Sequence, residues 1–135
     1  MPYVDQVIKE TLRVFPPIPS IGRLCNEDVI IDGIKFESGC HIHGSTFAIH
    51  FNEELYENPE QFRPESRFRF SAEERKTTDP LAFLPFGFGP RNCIGMRFAQ
   101  LEMRLALANM LKRFKFVTNQ KTPVRSKLHL SFLLI

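Results

Sequence analysis

The stretch Phe86–Gln100, "FGFGPRNCIGMRFAQ", sets one cysteine, Cys93, between a glycine-broken loop and a run with helical apolar spacing. Gly87 and Gly89 remove side chains where the backbone must bend sharply or approach a flat surface, and Gly95 repeats that permission two residues past the sulfur. Cys93 falls at the start of the following helix, where unpaired amide N–H groups and the positive end of the dipole favour a thiolate. Arg91 supplies a guanidinium suited to a carboxylate.

Taken together, a sulfur donor, a close-approach backbone and a cation for an acidic substituent describe the seat of a planar metallocycle with carboxylate arms. A haem held by a cysteine thiolate fits that description. A structural capping cysteine would not explain three flanking glycines and an arginine. A catalytic nucleophile wants a histidine base beside it, and none stands close to Cys93 in the sequence. A phosphate cradle would need a third glycine and a preceding strand in other places.

Outward from the loop, Ile94 to about Arg113 reads as a long helix. Met96, Phe98, Ala99, Leu101, Met103, Leu105, Ala106, Leu107, Met110 and Leu111 cover most of its circumference, which predicts burial on several sides. Charge divides at the same place. Met1–Pro90 carries 9 basic and 14 acidic residues, and Arg91–Ile135 carries 9 basic and 1 acidic, giving −5 and +8. At 135 residues, 43% hydrophobic and 24% charged, the chain is one ordinary folded unit or a piece of a larger one, and is not disordered. Three scattered cysteines, Cys25, Cys40 and Cys93, form no disulfide framework and point to a reducing compartment. No targeting segment or membrane-length apolar run is evident.

Val4, Val7, Ile8, Thr11, Leu12 and Val14 fall at helical spacing, and Pro16–Pro17 ends that helix near Phe15. A proline-rich bend runs on to Ile21. "DVIIDGIKFESG" predicts strands over Asp28–Ile31 and Ile34–Phe36 about a tight Asp32–Gly33 turn, and a third strand over Cys40–Thr46. Asn52–Pro85 reads as a long loop with one short helix at Ser71, capped by its own hydroxyl and Glu74. The helix already under way at Val4 and the apolar run Leu128–Ile135 make both ends read as cut. In "CHIH", Cys40–His43, His41 and His43 share a strand face and with Cys40 or His50 offer a zinc-like set, although the spacing matches no standard ligand pattern.

"FGFGPRNCIG" resembles, without a gap, the cysteine-loop signature of the cytochrome P-450 superfamily, Phe-Gly-x-Gly-x-Arg-x-Cys-x-Gly, and Ala99 falls where that family keeps a small residue. The resemblance spreads over nearly the whole chain and is nearest to animal microsomal steroid- and drug-oxidising members and thromboxane synthase. "ETLR", Glu10–Arg13, is similar to the family's Glu-x-x-Arg motif, whose side chains are buried with an arginine of a later loop. Read alone, that pair is a surface ion pair worth roughly 0.2–0.5 kcal/mol. The third partner falls in "FRPESRFRF", where Ser66 interrupts the family pattern, so that Arg67 is expected and Arg69 is the reserve.

The resemblance implies an α+β portion of the mainly α cytochrome P-450 fold: a Glu-x-x-Arg helix, a small sheet, a long meander loop, the cysteine loop and a long buried helix. Residues 1–135 would be the C-terminal part of that domain, truncated at both ends. It further implies haem b ligated by Cys93, with Arg23, Phe86, Gly87, Gly89, Arg91, Gly95 and Ala99 around it, and the arginines meeting propionates. Ile18, Pro19, Ser20 and Ile21, with the run near Leu130 and Phe132, correspond to stretches that line the substrate cavity in relatives. The implied activity is a monooxygenase placing one oxygen atom of O2 in a lipophilic substrate, with electrons from an NADPH-dependent cytochrome P-450 reductase. The implied location is the cytosolic face of the endoplasmic reticulum membrane.

Arg97, Arg104, Lys112, Arg113 and Lys115 sit on or just after the cysteine-bearing helix, as either a solvated helix face or a basic patch that would steer an acidic redox partner. Nucleic acid is set aside as a partner because these charges are interspersed with core positions and no aromatic stacking platform accompanies them. The acid–alcohol pair of the family's distal helix is expected upstream of Met1. Two other readings compete: a non-catalytic product of a partial gene or transcript, and a Cys/His metal-binding module.

Overall fold

A computed structural model describes residues 2–65 and 79–122. The expected cap at Ser71 and Glu74, Arg67 with its reserve Arg69, and the run from Leu128 to Ile135 lie outside the described residues.

The first helix, α1 (Pro2–Val14), follows the apolar spacing and ends where the prolines begin, its last turn closed by Phe15 N–H donating to the Thr11 carbonyl at 2.8 Å. Its inner face buries Ile8, Leu12 and Val14, and also Glu10 and Arg13. Where the sequence reads as a proline-rich bend, Ser20–Leu24 forms a strand, β1. It pairs antiparallel with His41–Ser45 from Ser20↔Ser45 to Leu24↔His41. Between them the chain makes an excursion, the hairpin of β2 (Val29–Ile31) and β3 (Ile34–Phe36), which makes His41–Ser45 β4. Asp32 and Gly33 both carry positive φ, 51° and 80°, the tight turn that this residue pair accommodates. The excursion closes where Cys25 N–H donates to the Cys40 carbonyl at 2.9 Å.

A short helix, α2 (Thr46–His50), follows β4 directly, and the Ser45 hydroxyl caps it by accepting the Ala48 N–H at 3.1 Å. This helix was not expected from the sequence. The chain then wraps through residues 51–65, and after residue 79 it makes a single 3-10 turn at Pro80–Ala82 on its way to the cysteine loop. The last element among the described residues, α3 (Met96–Arg113), packs against α1. Its expected burial is corrected: no residue of α3 is buried, and Phe98 is 72% exposed, with Leu101, Leu105 and Leu111 each more than half exposed. The periodicity gives a helix; the described residues cover one side of it.

The buried interior is small and partly polar. Among the described residues, Ile8, Leu12, Val14, Cys25, Tyr56 and Ala82 are its apolar members, while the fully buried side chains are Arg13, His50, Glu10 and Thr46.

Candidate functional site

The cysteine loop is built from turns. Gly87 N–H donates to the Leu84 carbonyl at 3.1 Å, Asn92 N–H to that of Gly89 at 3.1 Å, and Cys93 N–H to that of Phe86 at 2.8 Å. Gly87 and Gly89 sit at φ of 75° and 80°, in the left-handed region where a side chain is strained. Conformation is therefore what demands glycine at these two positions. Gly95 has an ordinary φ of −84°, and a Cβ there would reach Cys93 Sγ at 3.9 Å, an ordinary contact. Cys93 is free and exposed, and it lies three residues ahead of Met96 rather than in the first turn of α3.

Cys93 opens onto a cavity of about 460 Å³ lined by Ile18, Ile21 and Arg23 from β1 and the chain before it, and by Leu84, Phe86, Gly87 and Arg91 from the cysteine loop and the chain leading into it. The strand β1 thus faces the cysteine loop. Of the residues singled out in the sequence, Arg23, Phe86, Gly87, Arg91, Cys93, Ile18, Ser20 and Ile21 meet at this cavity. Gly89, Gly95, Ala99 and Pro19 do not line it; the Pro19 carbonyl accepts the Phe47 N–H at 3.1 Å instead. Gly22 is the β1 residue opposite His43, and a Cβ on it would stand 3.1 Å from the His43 ring, so a side chain there would force that ring aside.

Behind the cavity lies a polar knot. Glu10 Oε2 accepts Arg13 Nε–H at 3.1 Å, and Glu10 Oε1 accepts Arg13 Nη2–H at 3.0 Å and the Arg63 backbone N–H at 2.8 Å. Arg13 also donates to the carbonyls of His50 at 2.8 Å and Gln61 at 3.0 Å, and its guanidinium stands 5.6 Å from the Phe51 ring centroid and 5.1 Å from that of Tyr56. Both side chains have no exposure, so this is a desolvated, multiply bonded pair and not a surface one. Burial pulls the Arg13 pKa below its usual value, with Tyr56 opposing.

His50 completes the knot, and nothing in the sequence singles it out for this role. Its Nδ1 lies 3.1 Å from the Arg13 carbonyl, which only accepts, and its Nε2 lies 2.9 Å from the Leu84 N–H, which only donates. The two partners fix one neutral tautomer, protonated on Nδ1. Burial pushes the ring's pKa down to about 4; the nearby Arg13 charge adds to this, and the bond to the Arg13 carbonyl opposes it. Tyr56 donates to the Ala82 carbonyl at 2.6 Å, and burial raises its pKa to about 12 against the pull of Arg13.

The rings of His41 and His43 stack with centroids 6.4 Å apart, as expected for one strand face. Among the described residues, no three His, Cys, Asp or Glu side chains are grouped to hold a metal ion. Arg104, counted in the expected basic face, pairs with Asp5 of α1. No helix of the described residues is long and apolar enough to cross a membrane.

Comparison with known proteins agrees with the loop. The chain is 43% identical over 129 residues to cytochrome P450 3A19 of Capra hircus aegagrus, covering 96% of this chain and 58% of that protein. It is 44% identical over 128 residues to cytochrome P450 3A31 of Mesocricetus auratus, and 43% identical over 129 residues to cytochrome P450 3A12 of Canis lupus familiaris. In each of those two the match covers about 95% of this chain and 25% of the relative, so the chain spans about a quarter of their length. The family model for cytochrome P450 matches residues 1–135, from the knot through the Cys93 loop to the last residue, and the chain belongs to the cytochrome P450 family.

Proposed function

We propose that residues 1–135 form the thiolate-side, C-terminal part of a cytochrome P450 monooxygenase acting on lipophilic organic substrates. One observation carries this reading: Cys93, Arg23 and Arg91 line one largely apolar cavity together with Gly87, whose φ lies in the left-handed region. The donor set fits haem b. A soft anionic sulfur suits iron, the two cations suit two propionates, and Ile18, Ile21, Leu84 and Phe86 suit the porphyrin face and an apolar substrate. Such a group, when bound, supplies oxygen activation; this chain's share is ligation by Cys93, orientation by Arg23 and Arg91, and exclusion of water by the apolar wall.

NADPH would serve indirectly, through a cytochrome P450 reductase. Arg97, Lys112, Arg113 and Lys115 remain exposed on or just after α3 and would steer that acidic partner; Arg104 is occupied by Asp5. The proposed place of work is the cytosolic face of the endoplasmic reticulum membrane, as the resemblance to microsomal members implies. Glu10 and Arg13 serve the fold and haem uptake rather than chemistry, with Arg67 proposed as their further partner.

Adding haemin to the purified chain, reducing it and introducing carbon monoxide tests the proposal. A thiolate-type absorption shift that disappears in Cys93→Ala is expected, with weaker haem retention in Arg91→Ala and Arg23→Ala. Absence of specific uptake favours a non-catalytic product. Metal binding that survives Cys93→Ala but not the double change His41→Ala and His43→Ala favours a Cys/His module.

A further inference from the structure

We infer that His50 is the positioning residue of the cysteine loop: its neutral ring holds the Leu84 backbone, and with it the loop presenting Cys93, in register with the buried Glu10–Arg13 pair. The loop's identity as a haem seat is taken from the function proposed above; the mechanical role of His50 stands on its own geometry.

A relay of single hydrogen bonds joins the two. His50 Nε2 accepts the Leu84 N–H at 2.9 Å, the Leu84 carbonyl accepts the Gly87 N–H at 3.1 Å, and the Phe86 carbonyl accepts the Cys93 N–H at 2.8 Å. At its other end the imidazole donates to the Arg13 carbonyl, while Arg13 returns a bond to the His50 carbonyl at 2.8 Å. Ring and guanidinium therefore cannot shift separately. Phe83 stacks on the ring with centroids 5.5 Å apart, which fixes its plane. Tyr56 grips the same strand of chain two residues earlier, at Ala82. Among the described residues, His50 is thus the last side-chain tie before the loop begins. Leu84, Phe86 and Gly87 line the same cavity as Cys93, so a displacement at Leu84 moves the wall as well as the sulfur.

Two near-isosteric substitutions separate the two halves of the ring. In His50→Asn the amide nitrogen sits near the Nδ1 position and keeps a donor for Arg13, but nothing reaches Leu84. In His50→Gln the side-chain oxygen sits near the Nε2 position and keeps the acceptor for Leu84. Amide hydrogen exchange on the isotopically labelled 135-residue chain should show Leu84, Gly87 and Cys93 exchanging about tenfold faster in His50→Asn, with much of the protection retained in His50→Gln. Tyr56→Phe should leave Gly87 and Cys93 near the wild-type rate. After haemin loading, the thiolate-type fraction of the carbon monoxide spectrum should fall in the same order.

The wild-type ring needs no variant. Nitrogen NMR should find Nδ1 protonated and Nε2 coupled across the bond to the Leu84 amide. A ring that titrates like a free imidazole, or equal exchange at Cys93 in the Asn and Gln variants, overturns the assignment. A wild-type chain that shows the coupled ring and the exchange pattern but takes up no haem supports the role of His50 and overturns the proposed function for this chain instead.

Discussion

The knot beneath α1 and the cysteine loop treat polar groups in opposite ways. Glu10, Arg13 and His50 are wholly buried, and every one is bonded to backbone drawn from segments tens of residues apart. Cys93 and Arg91 are exposed, and the loop that carries them is closed by its own backbone turns. One region spends its polar atoms holding the chain together, and the other keeps them available for a ligand. On the proposed function, stability and chemistry are thereby separated onto different residues, and the short span from Ala82 to Leu84 is where they meet.

Breaking the knot should have the largest effect. Arg13→Ala strands the Glu10 carboxylate in the interior and should cost on the order of 3–5 kcal/mol, abolishing cooperative unfolding in a denaturant titration. Cys93→Ala should leave that titration within about 0.5 kcal/mol of the parent while removing the thiolate-type spectrum altogether. A destabilised Cys93→Ala chain would end the division just drawn.

Acid offers a second way in. His50 has a folded pKa of about 4 against an ordinary 6.5, so the unfolded chain takes up the proton first. Its contribution is complete above pH 6.5 and is lost as pH falls toward 4, by on the order of 3 kcal/mol. Arg13 faces this ring from α1, and Tyr56, with a pKa of about 12, stays neutral throughout the window. His50→Gln should flatten the slope of stability against pH between those values. Tyr56→Phe leaves the Ala82 carbonyl without its 2.6 Å donor and should cost about 1–3 kcal/mol, read from the same titrations. Arg104→Ala, which removes a half-exposed pair with Asp5, should cost no more than about 1 kcal/mol and should fade with salt.

What the residues announce in advance depends on how local the cause is. The Asp32–Gly33 turn and the bends at Gly87 and Gly89 are legible because a positive φ is a property of one residue and its neighbours. Cys93 and Arg91, the proposed ligand-facing groups, are legible because they lie within one loop. His50 is not, since its meaning comes from partners 34 and 37 positions away. The strand β1 hides among prolines because its pairing partner lies beyond a hairpin. The spacing in α3 correctly gives a helix, but burial requires a second surface, and the described residues leave Phe98 and Leu105 facing outward.

The excursion between β1 and β4 carries one more consequence. The chain leaves the β1–β4 pair and returns to it at one place, sealed by the Cys25–Cys40 backbone bond, and the Asp32–Gly33 tip projects from the far end of its own two-stranded ladder. Extra residues spliced in at that tip would lengthen a protrusion without tugging on Arg23 or Ile21, which makes it the place to attach a fluorophore or affinity handle when haem uptake is measured.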